Sequence, residues 1–135
     1  MILNYHAALE REMDFVLARL LPRADRLRGL GFGHKLSVLQ AAWRGPEDAG
    51  NKLCLALFRF NELRNAVAHG DDVKKVDGKL ALLAEAFDAI LPGAAEITDV
   101  ELIAAGLVGY FADEPLDIEK LKIPAADPAD ADEHR

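Results

Sequence analysis

The chain has 135 residues, with 16 Lys and Arg against 23 Asp and Glu, a formal net charge of −7 and an isoelectric point near 5.0. That length supports one domain with a real core and not two. The acidity argues against non-specific DNA binding, which needs clustered Lys and Arg to neutralise phosphates. A hydrophobic content of 51% with 29% charged residues is that of an ordinary globular chain. Cys54 is the only cysteine, so an intrachain disulfide and a cysteine-based zinc site are excluded, and Cys54 reads as a small core residue. No apolar run reaches the ~18 residues of a membrane span. No signal peptide is evident at the start, so a cytoplasmic protein is expected.

Residues 2–21 read as a first helix. Leu9, Met13, Val16, Leu17 and Leu20 recur at helical spacing, with Glu10, Arg11 and Asp14 between them. Pro22 stops it. Tyr5 and His6 lie near its start, and His6 reads as a surface or core residue rather than a ligand. Residues 22–33 are a basic connector with Arg23, Arg26 and Arg28, then Gly29, Gly31 and Gly33. It is either a solvated turn or a cationic rim that attracts an RNA backbone. On the second view Arg26, Arg28 and the following Lys35 are substrate-binding candidates. The glycines make no dinucleotide fingerprint, because no strand precedes them.

Residues 33–43 form a second helix, with Leu36, Leu39 and Trp43 inward and His34 and Lys35 in its first turn. Arg44-Gly-Pro-Glu-Asp is a stop and restart; Pro46 suits a first turn, and Glu47 and Asp48 complement its positive end. Residues 47–69 form a long helix, capped by Gly70 in the left-handed region. Residues 73–78 read as a polar link. Residues 79–91 read as a helix with Leu80, Leu83, Phe87 and Ile90 or Leu91 inward, broken by Pro92-Gly93. Thr98 or Asp99 caps a last helix ending near Tyr110 or Phe111. Its Ala104, Ala105, Gly106 and Gly109 allow close packing. Residues 113–135 hold eight acids against three bases, with Pro115, Pro124 and Pro128, and read as a disordered acidic tail. The expected fold is an all-α, up-and-down bundle of about five helices over residues 1–112.

The chemistry concentrates in Phe58–Gly70. On a helical wheel Leu53, Leu57, Phe60 and Val67 fall on one side, with Arg64 in the middle of the same stripe. Asn61, Asn65 and His69 follow at i, i+4, i+8 on its flank. A guanidinium among leucines must find an anion or carbonyls. Arg64 is therefore either a structural ion-pair partner or the anion-binding half of a site. His69 stands in the last turn, where the helix dipole favours positive charge. It is a proton-donor candidate or a simple helix cap. No zinc-binding histidine spacing and no phosphate-binding loop is present, so no metal or cofactor is expected.

Arg64-Asn65-Ala66-Val67-Ala68-His69 resembles the R-x4-6-H signature of HEPN domains, in the form R-N-x-x-A-H. Gly31-Phe-Gly-His-Lys-Leu-Ser resembles the F-G-x-[KR]-[IL] helix start of repressor-like members. The resemblance implies a small helical bundle that dimerises and juxtaposes its two motif helices. Catalytic members are metal-independent ribonucleases of toxin–antitoxin and phage-defence systems. Others are non-catalytic, including proteins like the mannitol operon repressor. Carried onto this chain, Arg64 would hold the scissile phosphate and His69 would act as general acid or base. Asn65 would hold the phosphate or orient His69, and Asn61 would contribute to substrate binding. One toxin subfamily carries a Tyr two residues after the His, which a partner nucleotidyltransferase modifies. Asp71 stands there instead, against that modification. Two functions stay open: an RNA-cleaving enzyme with an RNA substrate and an antitoxin partner, or a dimeric regulatory module that binds protein.

Overall fold

Residues 2–113 are described by a computed structural model, and they fold into five α-helices and one 3-10 turn. The helices are α1 (Ile2–Leu20), α2 (Phe32–Ala42), α3 (Glu47–Ala68), α4 (Val73–Ile90) and α5 (Val100–Asp113). Among the described residues no strand occurs, so the all-α expectation holds. The acidic tail lies outside the described residues, apart from Asp113, which closes α5. Among the described residues no helix is long and apolar enough to cross a membrane.

The α1 core face is the one its periodicity predicts: Leu9, Met13, Val16, Leu17 and Leu20 are all buried. Ile2 and His6 extend the same face toward the N-terminus. The last helical carbonyl bond runs from the Leu21 N–H to Leu17, and Pro22 has no N–H to continue it. The basic connector then makes a 3-10 turn, Ala24–Leu27, and Gly29 turns the chain at φ +97°. On α2, Phe32, Lys35, Leu36 and Leu39 are buried at i, i+3, i+4 and i+7. Trp43 ends α2 half-buried, and its indole N–H donates to the Pro46 carbonyl at 2.9 Å.

Helix α3 is the hub, packing against α1, α2 and α4. Its buried residues are Gly50, Leu53, Cys54, Ala56, Leu57, Phe60, Leu63 and Ala66. This corrects the stripe inferred from the sequence. Leu63 and Ala66 join the buried face, and Val67 is 40% exposed. Arg64 keeps its place between Leu53 and Leu57 on the wheel and is half-buried, with its Nε shielded from water. The helix ends as expected. Gly70 has φ +71°, its N–H reaches the Val67 carbonyl, and the Asp71 N–H reaches Ala66. Those two bonds are a Schellman cap.

Helix α4 begins six residues before its expected start. Asp72 is its N-cap and accepts from the Lys75 N–H at 2.9 Å. Residues 73–78 are thus helical and not a link. Local composition obscured this, because the first two turns are polar and contain Gly78, a poor helix former. A cap, the Lys75–Asp71 pair and the Lys79–Glu62 ion pair to α3 hold them. Leu83 and Phe87 are buried as predicted, Leu80 and Ile90 partly so, and Leu91 is exposed.

Between α4 and α5 the Asp88 carboxylate accepts from the Gly93 and Ala95 N–H groups and braces the turn. Asp99, not Thr98, caps α5, accepting from the Glu101 and Leu102 N–H groups. Helix α5 lies on α1 and meets α4 through its small face. A Cβ at Gly106 would come within 2.5 Å of the Phe87 ring, whereas one at Gly109 would meet nothing within 4 Å. Gly106→Ala is expected to destabilise by about 1–3 kcal/mol through overpacking. Gly109→Ala should gain up to ~1 kcal/mol of helix propensity. Urea unfolding of the two variants checks the contrast, and equal effects would contradict this packing.

Candidate functional site

Helix α3 displays a short polar row, Asn61, Arg64 and Asn65, all half-buried. At 3.6 residues per turn they lie within about 100° of one another, on one side of the helix. The row is covered from α1. His6 Nε2 lies 2.9 Å from Asn61 Oδ1, across a sequence separation of 55. Its ring centroid is 4.3 Å from that of Phe32 on α2 and 6.4 Å from that of Phe60 on α3. Three helices thus converge on one imidazole, which is only 7% exposed.

Of the two readings the sequence gives for His6, surface or core, the core reading holds. A signal existed: His6 falls between Ile2 and Leu9 on the core face of α1, at i+4 and i−3. A buried polar group there has to find a hydrogen-bond partner. Periodicity shows that it is buried, but not that the partner is Asn61.

Arg64 has no acid. None of the ion pairs among the described residues uses it. Its Nη1 donates to Asn65 Oδ1 at 3.2 Å, and its Nε is buried without a hydrogen-bond partner. The ion-pair alternative therefore finds no carboxylate here. A half-buried guanidinium with one neutral acceptor is electrostatically unsatisfied, which suits an incoming anion.

His69 is the C-cap residue of α3, with φ −82° and an exposed side chain. It stands ~7.5 Å from Arg64 along the axis and about 140° around it. One helix therefore does not aim Arg64 and His69 at a single phosphate.

The other candidates divide. Lys35 is 7% exposed and its ammonium pairs with Glu10 at 3.0 Å and Asp14 at 3.0 Å. Burial disfavours its charge, but hydrogen bonds to Asp14 and Glu10 outweigh that and hold its pKa above the ordinary lysine value. Lys35 ties α1 to α2, and its charge is already matched. Arg26 and Arg28 are exposed on the connector. Arg28 borders a cavity of about 310 Å³ that Asp14 and Asp25 also line, so the rim there carries both signs. A larger cleft, about 440 Å³, lies between Gln40, Trp43, Glu47 and Asn51. The Trp43 indole packs directly on Gly45 and Gly50, where a Cβ would meet its ring at 3.0 and 2.5 Å. The cleft sits at the opposite end of α3, ~20 Å from the polar row. Cys54 is buried, and burial pushes its thiol pKa to about 11, so it is an inert core group.

Burial lowers the His6 pKa below 6.5; the Asn61 hydrogen bond opposes this, Arg64 adds to it and Glu10 opposes it. The unfolded chain therefore binds a proton near pH 6.5 that the folded chain resists. The stability His6 contributes is complete above about pH 6.5 and is lost as pH falls toward the lower folded value. Between about pH 7.5 and 5.5 the wild-type melting temperature should fall by more than that of His6→Phe. Parallel slopes by circular dichroism would show that His6 is not the group responsible. No family model, curated protein or solved structure matches this chain.

Proposed function

We propose that the chain is a HEPN-type, metal-independent endoribonuclease that uses Arg64 to bind the scissile phosphate and works in the cytoplasm as a dimer. The observation that carries the proposal is the half-buried Arg64 guanidinium, which has no carboxylate partner among the described residues and is set in a row of amides. A structural arginine is matched, as Lys35 is on the neighbouring helix. One left unmatched is positioned for charge that arrives with a substrate.

In such a reaction a base takes the proton of the ribose 2′-OH. The 2′-oxygen attacks phosphorus, and the 5′-oxygen leaves after receiving a proton. The products are a 2′,3′-cyclic phosphate and a 5′-hydroxyl. Arg64 stabilises the charge that grows on the non-bridging oxygens. Asn65 holds the guanidinium through its carbonyl oxygen. His69 supplies the proton transfer. Because Arg64 and His69 diverge around one helix, the His69 that serves a given Arg64 comes from the second copy. The site is then composite, and two α3 helices face one another across it. A toxin of this kind would be held in check by a partner protein.

A second reading has its own support. Leu55 and Phe58 on α3 are 45% and 44% exposed, and they form an apolar step one to three turns before the polar row. Such a surface suits a non-catalytic dimeric module that binds a regulatory protein.

Three variants separate these readings. A tRNA or mixed RNA pool incubated in EDTA should be cleaved by wild type. His69→Ala should lose ~10²–10⁴-fold of that activity. Arg64→Met should lose activity too, yet be as stable as wild type or more so, because it removes a buried donor that has no partner. Cleavage that survives His69→Ala marks a contaminant and rejects the mechanism. An active species with a monomer mass by light scattering rejects the composite site. No cleavage of any pool by wild type, with loss of the dimer in Leu55→Glu, favours the protein-binding module.

A further inference from the structure

Asn61 has one acceptor end and one donor end, and which end faces Arg64 decides what the arginine can do. Asn61 and Arg64 are i, i+3 neighbours on α3, close enough for side-chain contact. An amide oxygen turned toward Arg64 is a candidate acceptor for the buried Nε–H, which has none. The oxygen is instead on His6: Nε2 and Oδ1 are 2.9 Å apart. Arg64 Nε remains buried without a partner, and its one side-chain bond goes to Asn65.

The His6 ring is fixed for this role. Phe32 and Phe60 flank it, and it reaches Asn61 from a different helix. Burial and the nearby Arg64 charge favour its neutral form, which carries a single N–H. With that hydrogen on Nε2 the imidazole donates to Asn61 Oδ1. The Asn61 –NH2, at the other end of the same planar group, then faces away from His6.

We infer that His6 is a positioning residue for an oxyanion: it draws the Asn61 oxygen away from Arg64 and leaves the Asn61 –NH2 and the Arg64 guanidinium as adjacent donors for one phosphate-type anion. The inference rests on Arg64 being an anion-binding group, and adds Asn61 as a second donor and His6 as the residue that orients it. Removing the His6 N–H frees the amide to rotate. Its oxygen then takes the Arg64 Nε–H and blocks the site without any change in net charge.

The test uses the full chain labelled with ¹⁵N and titrated with millimolar inorganic phosphate. The Asn61 side-chain amide and the Arg64 Nε–H are followed by NMR. In wild type both signals should move together. His6→Phe, which keeps an aromatic ring between Phe32 and Phe60, should weaken phosphate binding roughly tenfold, the size of one hydrogen bond to a charged group. His6→Gln, whose amide N–H still donates to Asn61 Oδ1, should stay within about threefold of wild type. In an Asn61→Ala background, His6→Phe should have no further effect on phosphate affinity.

A merely structural His6 would lower the melting temperature in both backgrounds and leave phosphate affinity unchanged, which overturns the inference. So does a wild type whose two signals ignore phosphate, or a His6→Phe effect of equal size with and without Asn61. RNA cleavage in EDTA is read separately. Phosphate binding that follows this pattern in a chain that cleaves no RNA removes the ribonuclease reading and leaves the role of His6 intact. Cleavage by wild type, with phosphate affinity indifferent to His6→Phe, does the reverse.

Discussion

One helix has to satisfy three neighbours. Helix α3 is in contact with α1, α2 and α4 at once, so most of its circumference is committed to packing. Its twenty-two residues place Leu53, Leu57, Phe60 and Leu63 almost entirely out of water. Burial of that kind contributes about 1.5–3 kcal/mol per large side chain, and it leaves little arc for polar groups. The polar row of Asn61, Arg64 and Asn65 continues that face toward the C-terminal end of the helix, half-buried. Its position is a residue of the packing problem: the row stands where α1 can cover it only with a side chain that hydrogen-bonds.

The contrast between the two half-hidden cations follows from the same geometry. Lys35 and Arg64 both lose water when the helices close. Lys35 meets two carboxylates one turn apart on α1, Glu10 and Asp14, and the fold thereby ties α2 to α1. Arg64 hydrogen-bonds the Asn65 amide and stands one turn from the His6-bound amide of Asn61. A cation held next to neutral dipoles keeps most of its capacity for an anion, while a cation between two carboxylates has none left. Position in the sequence does not separate these cases. What separates them is which helix stands opposite.

The arrangement also bears on assembly. A single α3 turns Arg64 and His69 to different sides. The proposed ribonuclease chemistry therefore needs two copies, and the amide row has to lie near the interface between them. Leu55 and Phe58, exposed on the same helix, are apolar surface within reach of such an interface. In the proposed ribonuclease one copy would supply the phosphate-binding half, and the exposed helix end would carry the proton-transfer half for its neighbour.

Much of the architecture was legible in the amino-acid sequence. The five helices, the core face of α1, the left-handed Gly70 cap, an Asp99 cap and the small face of α5 all follow from local rules. Those rules act within one or two turns, so a single segment contains all the information they need. The same rules missed the polar first turns of α4, where the Lys79–Glu62 pair helps hold a segment that contains Gly78. They also misplaced the end of the α3 stripe, because periodicity tells that a face is buried but not how wide a face its neighbours demand. The candidate site is half legible in the sequence. Arg64, Asn61 and Asn65 stand out as polar groups at helical spacing beside apolar ones. The pairing of Lys35 with α1, and of His6 with Asn61 across 55 residues, was decided only by the tertiary structure. A hydrogen bond between two helices depends on their relative rotation and height. That is set by the packing of every buried side chain between them, and no local pattern carries it.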